Sequence, residues 1–189
     1  MKYMGHGGFI LADTAMEEYQ PWLRPGSARY IESKLFNKSN VFEWGTGAST
    51  IWLAKLGCEV ISCELDMSWK LKIYGLLAVE KLKADLRHWE YKNIQDYADS
   101  ILEFPDESFD LVLIDGRNRC RCLGNSRSKV KIGGMLCLDN SERVEYTNAV
   151  KLMDTWESLE WGDEGWKTAV FLRLPESETD RVEFENEDA

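Results

Sequence analysis

The chain has 189 residues, 44% of them hydrophobic and 30% charged. That length predicts a single domain whose core holds without metal or disulfide staples, and the composition excludes a disordered chain. The formal charge of −10 makes a surface that repels phosphate, so composition alone predicts no nucleic-acid partner.

The first eight residues, Met1 to Gly8, lack the long apolar stretch of a secretory signal. Apolar runs such as 111–114 and 135–138 are too short to span a bilayer. A cytoplasmic protein with no membrane partner is expected. Residues 1–40 read as a helical lid segment, 41–175 as the core, and 176–189 as an acidic terminal strand or tail. The tail carries seven acids against one arginine. A helix is predicted over 27–35, capped by Ser27. Residues 41–44 form a short apolar strand closed by Gly45. A helix over 48–56 follows, stopped by Gly57. The next strand covers 59–63.

Residues 67–86 repeat apolar side chains at a helical period, and 88–92 read as a third strand. Residues 93–110 read mostly as loop. Leu111 to Ile114 is the strongest strand of the chain. A helix is predicted over 117–131, ended by Gly133 and Gly134, then a strand over 135–138. A further helix is expected over 142–159, and two last strands over 168–174 and 181–184. Strands and helices in alternation predict an α/β fold: a doubly wound, mostly parallel, seven-stranded sheet with an antiparallel C-terminal strand. Ligands of such sheets bind beyond the carboxyl ends of the strands. The residues there are Gly45-Thr46-Gly47, Glu64, Asp115 and Asp139-Asn140.

Glycines at a strand-to-helix turn admit a ligand close to the backbone, and the helix N-terminus beyond suits a carboxylate or phosphate. Glu43 at the strand end attracts a cationic group and sits badly beside a pyrophosphate. Gly45-x-Gly47-x-x-Thr50 also lacks a third glycine, which argues against a nicotinamide-dependent oxidoreductase. Glu64 stands where an acid accepts hydrogen bonds from ribose hydroxyls. A nucleoside carrying a cationic amine and a carboxylate satisfies all three features, and S-adenosylmethionine (SAM) has that composition.

Glu43-x-Gly45-x-Gly47-x-Ser49 resembles motif I of the class I SAM-dependent methyltransferases. Ile61 to Asp66 followed by Trp69 resembles their second-strand motif, Ser108 to Arg117 their fourth-strand motif, and Ile132 to Asp139 the turn and strand after it. The resemblance runs in order from about Val41 to Tyr146. It implies that Gly45, Thr46 and Gly47 pass under the methionine part of SAM. It further implies Glu43 on the amino group, directly or through water, Ser49 on the carboxylate, Glu64 on the ribose, and the adenine near Leu65 and residues 95–97. Asp115 would touch the cofactor or substrate.

Asp115, Asp139 and Asn140 are hard oxygen ligands at two strand ends, suited to Mg2+ or Ca2+. The pattern is similar to the catechol and caffeoyl-coenzyme A O-methyltransferases. Those enzymes carry a lysine shortly after the first Asp. Here Gly116-Arg117-Asn118-Arg119 stands there, and arginine cannot act as a base. Asp115 and Arg117 are the expected catalytic residues, with Arg117 or Arg119 clamping an anionic group of a small-molecule acceptor, methylated at oxygen. The missing lysine also leaves open a non-catalytic SAM-binding module with a protein partner, and a homodimer is compatible with the sequence. No histidine falls at a strand end beside the site, which excludes a serine or cysteine hydrolase triad. Cys58, Cys63 and Cys137 read as reduced core residues. Cys120-x-Cys122 has no second pair to complete a zinc site.

Overall fold

The computed structural model describes residues 19–175. Along these run α1 (Pro25–Lys34), β1 (Asn40–Trp44), α2 (Ala48–Lys55), β2 (Glu59–Glu64), α3 (Met67–Val79) and β3 (Asp85–His88). They continue with α4 (Ile94–Asp99), β4 (Phe109–Ile114), α5 (Arg119–Ser126), β5 (Val130–Asp139), α6 (Thr147–Val150), β6 (Glu157–Asp163) and β7 (Trp166–Leu172). The sheet has seven strands in the order β3-β2-β1-β4-β5-β7-β6. Strands β1 to β5 pair in parallel, and β7 runs antiparallel to both β5 and β6. The expected doubly wound, mostly parallel sheet is present. The strand expected over 181–184 lies outside the described residues, as do the acidic tail and His6.

The central strands are mainly apolar because both faces are covered. Phe42, Trp44, Val112, Ile114, Leu136 and Leu138 fill one layer. Their neighbours Val41, Leu111, Leu113, Met135 and Cys137 fill the other. This alternation is the period of two that a strand imposes. Cys58, Cys63, Cys122 and Cys137 are buried free thiols and Cys120 is exposed.

Several boundaries differ from the sequence reading. Helix α1 opens at Pro25, whose fixed φ suits a first turn. Ser27 lies one turn in and bonds back to the Arg24 carbonyl at 2.7 Å. This helix packs against the β6 and β7 edge, with Tyr30 and Trp161 rings 5.5 Å apart, and residues 1–18 of the expected lid segment lie outside the described residues. Helix α3 stops at Val79, where Lys81 takes a positive φ. Strand β3 begins three residues earlier than expected, at Asp85. Residues 94–99, read as loop, form α4 and bury Tyr97 and Ala98. The long helix expected over 142–159 is reduced to α6 with short 3-10 turns at either side, and residues 157–163 form the edge strand β6.

Candidate cofactor and acceptor site

One hollow of about 960 Å³ lies across the carboxyl ends of the parallel strands. Gly45 to Ser49, Glu64, Leu65, Asp115 to Cys120, Asp139 and Asn140 line it. Segments far apart in sequence thus meet where the topology reverses between β1 and β4.

The loop after β1 is built by close backbone approach. Gly45 has φ +101°, and a Cβ there would stand 2.8 Å from the Gly116 nitrogen. Gly47 differs. It is extended, and a Cβ added to it would meet nothing nearer than the Ser49 hydroxyl at 3.9 Å. The fold does not demand glycine at 47, yet this residue floors the hollow. Above it the first turn of α2 offers free backbone N–H groups. Trp69 donates its indole N–H to the Thr46 carbonyl at 2.7 Å and fixes the loop from the α3 side.

Glu64 lines the hollow, and its Oε1 accepts from the backbone N–H groups of Leu65 (2.7 Å) and Asp66 (2.9 Å). Burial raises its pKa and those bonds oppose the rise. Glu43 is elsewhere. It is fully buried behind the loop and lines no part of the hollow. Ser49 donates to its Oε1, while Thr50 and Ser62 (2.6 Å) donate to its Oε2. Of the two expected routes from Glu43 to an amino group, direct or through water, the direct one is closed. Glu43 holds the first turn of α2 against β2, and the Ser49 hydroxyl proton is committed to it rather than to a ligand carboxylate.

Burial pushes the Glu43 carboxyl up from 4.5 to about 7 against the pull of its three hydroxyl donors. Between those values the folded protein binds the proton more tightly than the unfolded chain. Stability is then greatest at low pH and falls as pH rises through about 7. Glu43→Gln removes this titration. The variant is expected to gain stability relative to wild type between pH 5 and pH 8, by about 3 kcal/mol at most. Urea unfolding at the two pH values measures it, and a difference that does not change with pH overturns it.

At the acceptor end the expected metal set does not fit a cation. The Oδ1 of Asp115 accepts from Arg119 Nη2 at 2.8 Å. The Oδ1 of Asp139 accepts from Thr168 Oγ1 (2.7 Å) and Trp166 Nε1 (2.9 Å). Asn140 Oδ1 accepts from Arg143 Nη2 at 3.1 Å. Asp115, Asp139 and Asn140 share the rim as predicted, but protein donors already engage each of them. Burial raises the pKa of Asp115 above the carboxylate range although Arg119 opposes it. Burial raises Asp139 as well, against its bonds from Thr168 and Trp166.

The six basic residues between Arg117 and Lys131 are mostly neutralised. Arg121 pairs with Asp99, Lys129 with Asp106 and Lys131 with Asp110. Arg119 is 8% exposed and gives four hydrogen bonds to the protein. Arg117 is exposed on the hollow, without an ion-pair partner among the described residues. Arg143 joins it there. Of residues 95–97 only Tyr97 lines the hollow. Sequence reasoning missed Arg143, Tyr146, Trp166 and Tyr91, because each sits on a loop or element end without a pattern.

The chain matches many solved structures along most of its length. A methyltransferase-like protein from Silicibacter pomeroyi aligns at TM-score 0.63 and 17% identity, covering 88% of this chain and 95% of that one. The chain has the class I SAM-dependent methyltransferase fold. A SAM-dependent O-methyltransferase from Thermotoga maritima aligns at TM-score 0.64 and 12% identity, covering 89% of this chain and 72% of that one. An rRNA methylase from Streptococcus thermophilus aligns at TM-score 0.63 and 12% identity, covering 79% and 95%. No family model and no curated protein matches. The rRNA methylase overturns the exclusion of nucleic acid drawn from net charge. This fold serves such substrates, and a charge of −10 summed over a chain says little about the rim of one hollow, where Arg117 and Arg143 stand. Among the described residues no helix is long and apolar enough to cross a membrane.

Proposed function

We propose that this chain is a SAM-dependent methyltransferase acting on an acceptor hydroxyl, with Asp115 as the base and no metal ion in the step. The observation that carries the reading is the space above Gly47, bounded by the α2 N-terminus, Glu64 and Asp115 in a single hollow. The methionine end of SAM fits over residues 45–47, its carboxylate against the N–H groups at the start of α2, its ribose on Glu64 and its adenine beside Leu65. When bound, SAM supplies a methyl group on a cationic sulfur. The chain's own residues orient the acceptor and take its proton. Asp115 has one oxygen on Arg119 and keeps 29% of its side-chain surface open. Arg117 and Arg143 suit an anionic group on the acceptor, a carboxylate or a nucleotide phosphate.

A second reading is methylation of a base in RNA. It is favoured by the exposed rings of Trp22 and Tyr91 on the hollow, which suit the stacking of an unpaired base. Radiolabelled methyl transfer from SAM, with phenols, hydroxy acids and RNA as acceptors, distinguishes the two. SAM binding without transfer to any of these favours instead a binding module acting through a protein partner.

Gly47→Val tests the cofactor's place directly. A Cβ there meets nothing nearer than the Ser49 hydroxyl at 3.9 Å, and Gly47 is the N-cap of α2, so the variant should lose no more than about 1 kcal/mol of stability. SAM affinity, read by calorimetry, should fall at least about tenfold, or 1.4 kcal/mol. Unchanged affinity removes the cofactor from this loop.

A further inference from the structure

We propose that Arg119 is a built-in cation of the acceptor end, a positioning residue that ties the ends of β4 and β5 together and aims Asp115, in the place a divalent ion would take. The proposal rests on the methyltransferase reading above for its kinetics, but not for its binding test.

The guanidinium is buried where three strand-end carbonyls converge. Its Nε donates to the Gly116 carbonyl at 2.9 Å. Nη1 donates to the Asp139 carbonyl, and Nη2 to both the carbonyl (2.7 Å) and the Oδ1 (2.8 Å) of Asp115. These three carbonyls lie beyond the last residues that β4 and β5 pair with each other, Ile114 and Leu138. A planar fork with five N–H donors can satisfy several at once, which an ammonium cannot do in the same plane. The Tyr146 ring lies 6.0 Å from the guanidinium carbon and shields it. Asp115, Asp139 and Arg119 together carry a net charge of −1 when both acids are ionised. A divalent ion added to the same oxygens would meet the guanidinium, and like charges at this distance in a buried place repel strongly.

The chemical consequence is a fixed distance between β4 and β5 and a single orientation for the Asp115 carboxylate. A metal ion would achieve the same but would exchange with solvent. The arginine makes the site independent of ion supply.

The first test uses the wild-type protein alone. Manganese titrated into it, followed by electron paramagnetic resonance, should keep the signal of the free hydrated ion, and methyl transfer should be unchanged by EDTA. A bound manganese signal that Asp115→Asn abolishes, or activity lost to EDTA, overturns the proposal. Absence of SAM binding by wild type fails the methyltransferase reading instead and leaves the manganese result standing. The second test is Arg119→Ala. Its kcat should fall about a hundredfold, as expected for a misaimed catalytic group, with KM for SAM changed less than about threefold. Added methylguanidinium should restore at least about tenfold of the loss. Arg119→Lys, which keeps the charge but not the fork, should stay as impaired as the alanine variant within about threefold. Full activity of the lysine variant, or no rescue of a folded alanine variant, overturns the positioning role.

Discussion

Asp115→Asn should lower kcat by about 10²- to 10⁴-fold while SAM affinity changes less than about threefold. The amide is isosteric, and its oxygen can still accept from Arg119 Nη2, which the carboxylate does at 2.8 Å. The rim should keep its shape, and unfolding by urea should shift by less than about 2 kcal/mol. What is lost is the ability to take a proton. Burial holds the Asp115 pKa above the ordinary carboxylate range. In wild type, kcat/KM should therefore rise with pH as the carboxyl loses its proton, with a midpoint above that of a solvated aspartate. The variant's profile should lack that limb. Two results would sink the assignment. One is a variant that turns over normally. The other is one whose SAM affinity collapses with its rate, which would make Asp115 a cofactor ligand and leave the base to another group.

The parts of this site that the sequence exposes are those made by short-range pattern. Gly45, Gly47 and Glu64 follow apolar strands whose burial on both faces keeps their period and length plain. The order β1-α2-β2 was legible for the same reason, since Gly57 with φ +83° ends α2 where a glycine should. Arg119 was illegible because its partners, Asp115, Gly116 and Asp139, include one 20 residues away, and a run of alternating arginines looks the same whether solvated or folded inward. Glu43 misled in the opposite way. An acid before a glycine loop suggests a ligand contact, but three hydroxyl side chains on α2 and β2 claim it from behind. The first three residues of β6 were read as the end of a helix and the rest were given no element, because the strand pairs only with β7 and leaves most of its residues exposed. Only Leu159 and Trp161 pack against the core, too few to show a period of two. The short helix α4 buries just Tyr97 and Ala98, which is less than one turn's worth of signal.

Gly45→Ala should cost about 3 kcal/mol or more in stability. The added methyl group would lie 2.8 Å from the Gly116 nitrogen and 2.9 Å from the Asp115 carbonyl carbon, both backbone atoms that no rotamer change can move. Its φ of +101° adds strain for any residue with a Cβ. Gly116 faces the same gap from the other side: a Cβ there would stand 3.0 Å from the Gly45 nitrogen and collide with the Tyr97 hydroxyl. The two glycines thus let the ends of β1 and β4 meet, an approach continued by the bond from the Asp115 N–H to the Trp44 carbonyl at 2.9 Å. Once one methyl group has forced the ends apart, the second should cost less. The double variant is expected to be less destabilised than the sum of the singles, by about 1 kcal/mol or more in a urea-unfolding cycle. Strict additivity would mean that each methyl is accommodated separately and that the gap is not shared. The same spacing sets the distance from the loop over residues 45–47 to Asp115. A folded Gly45→Ala protein at low temperature should therefore transfer methyl groups poorly even with SAM in excess, whereas Gly47→Val leaves the strands in place and loses cofactor affinity alone.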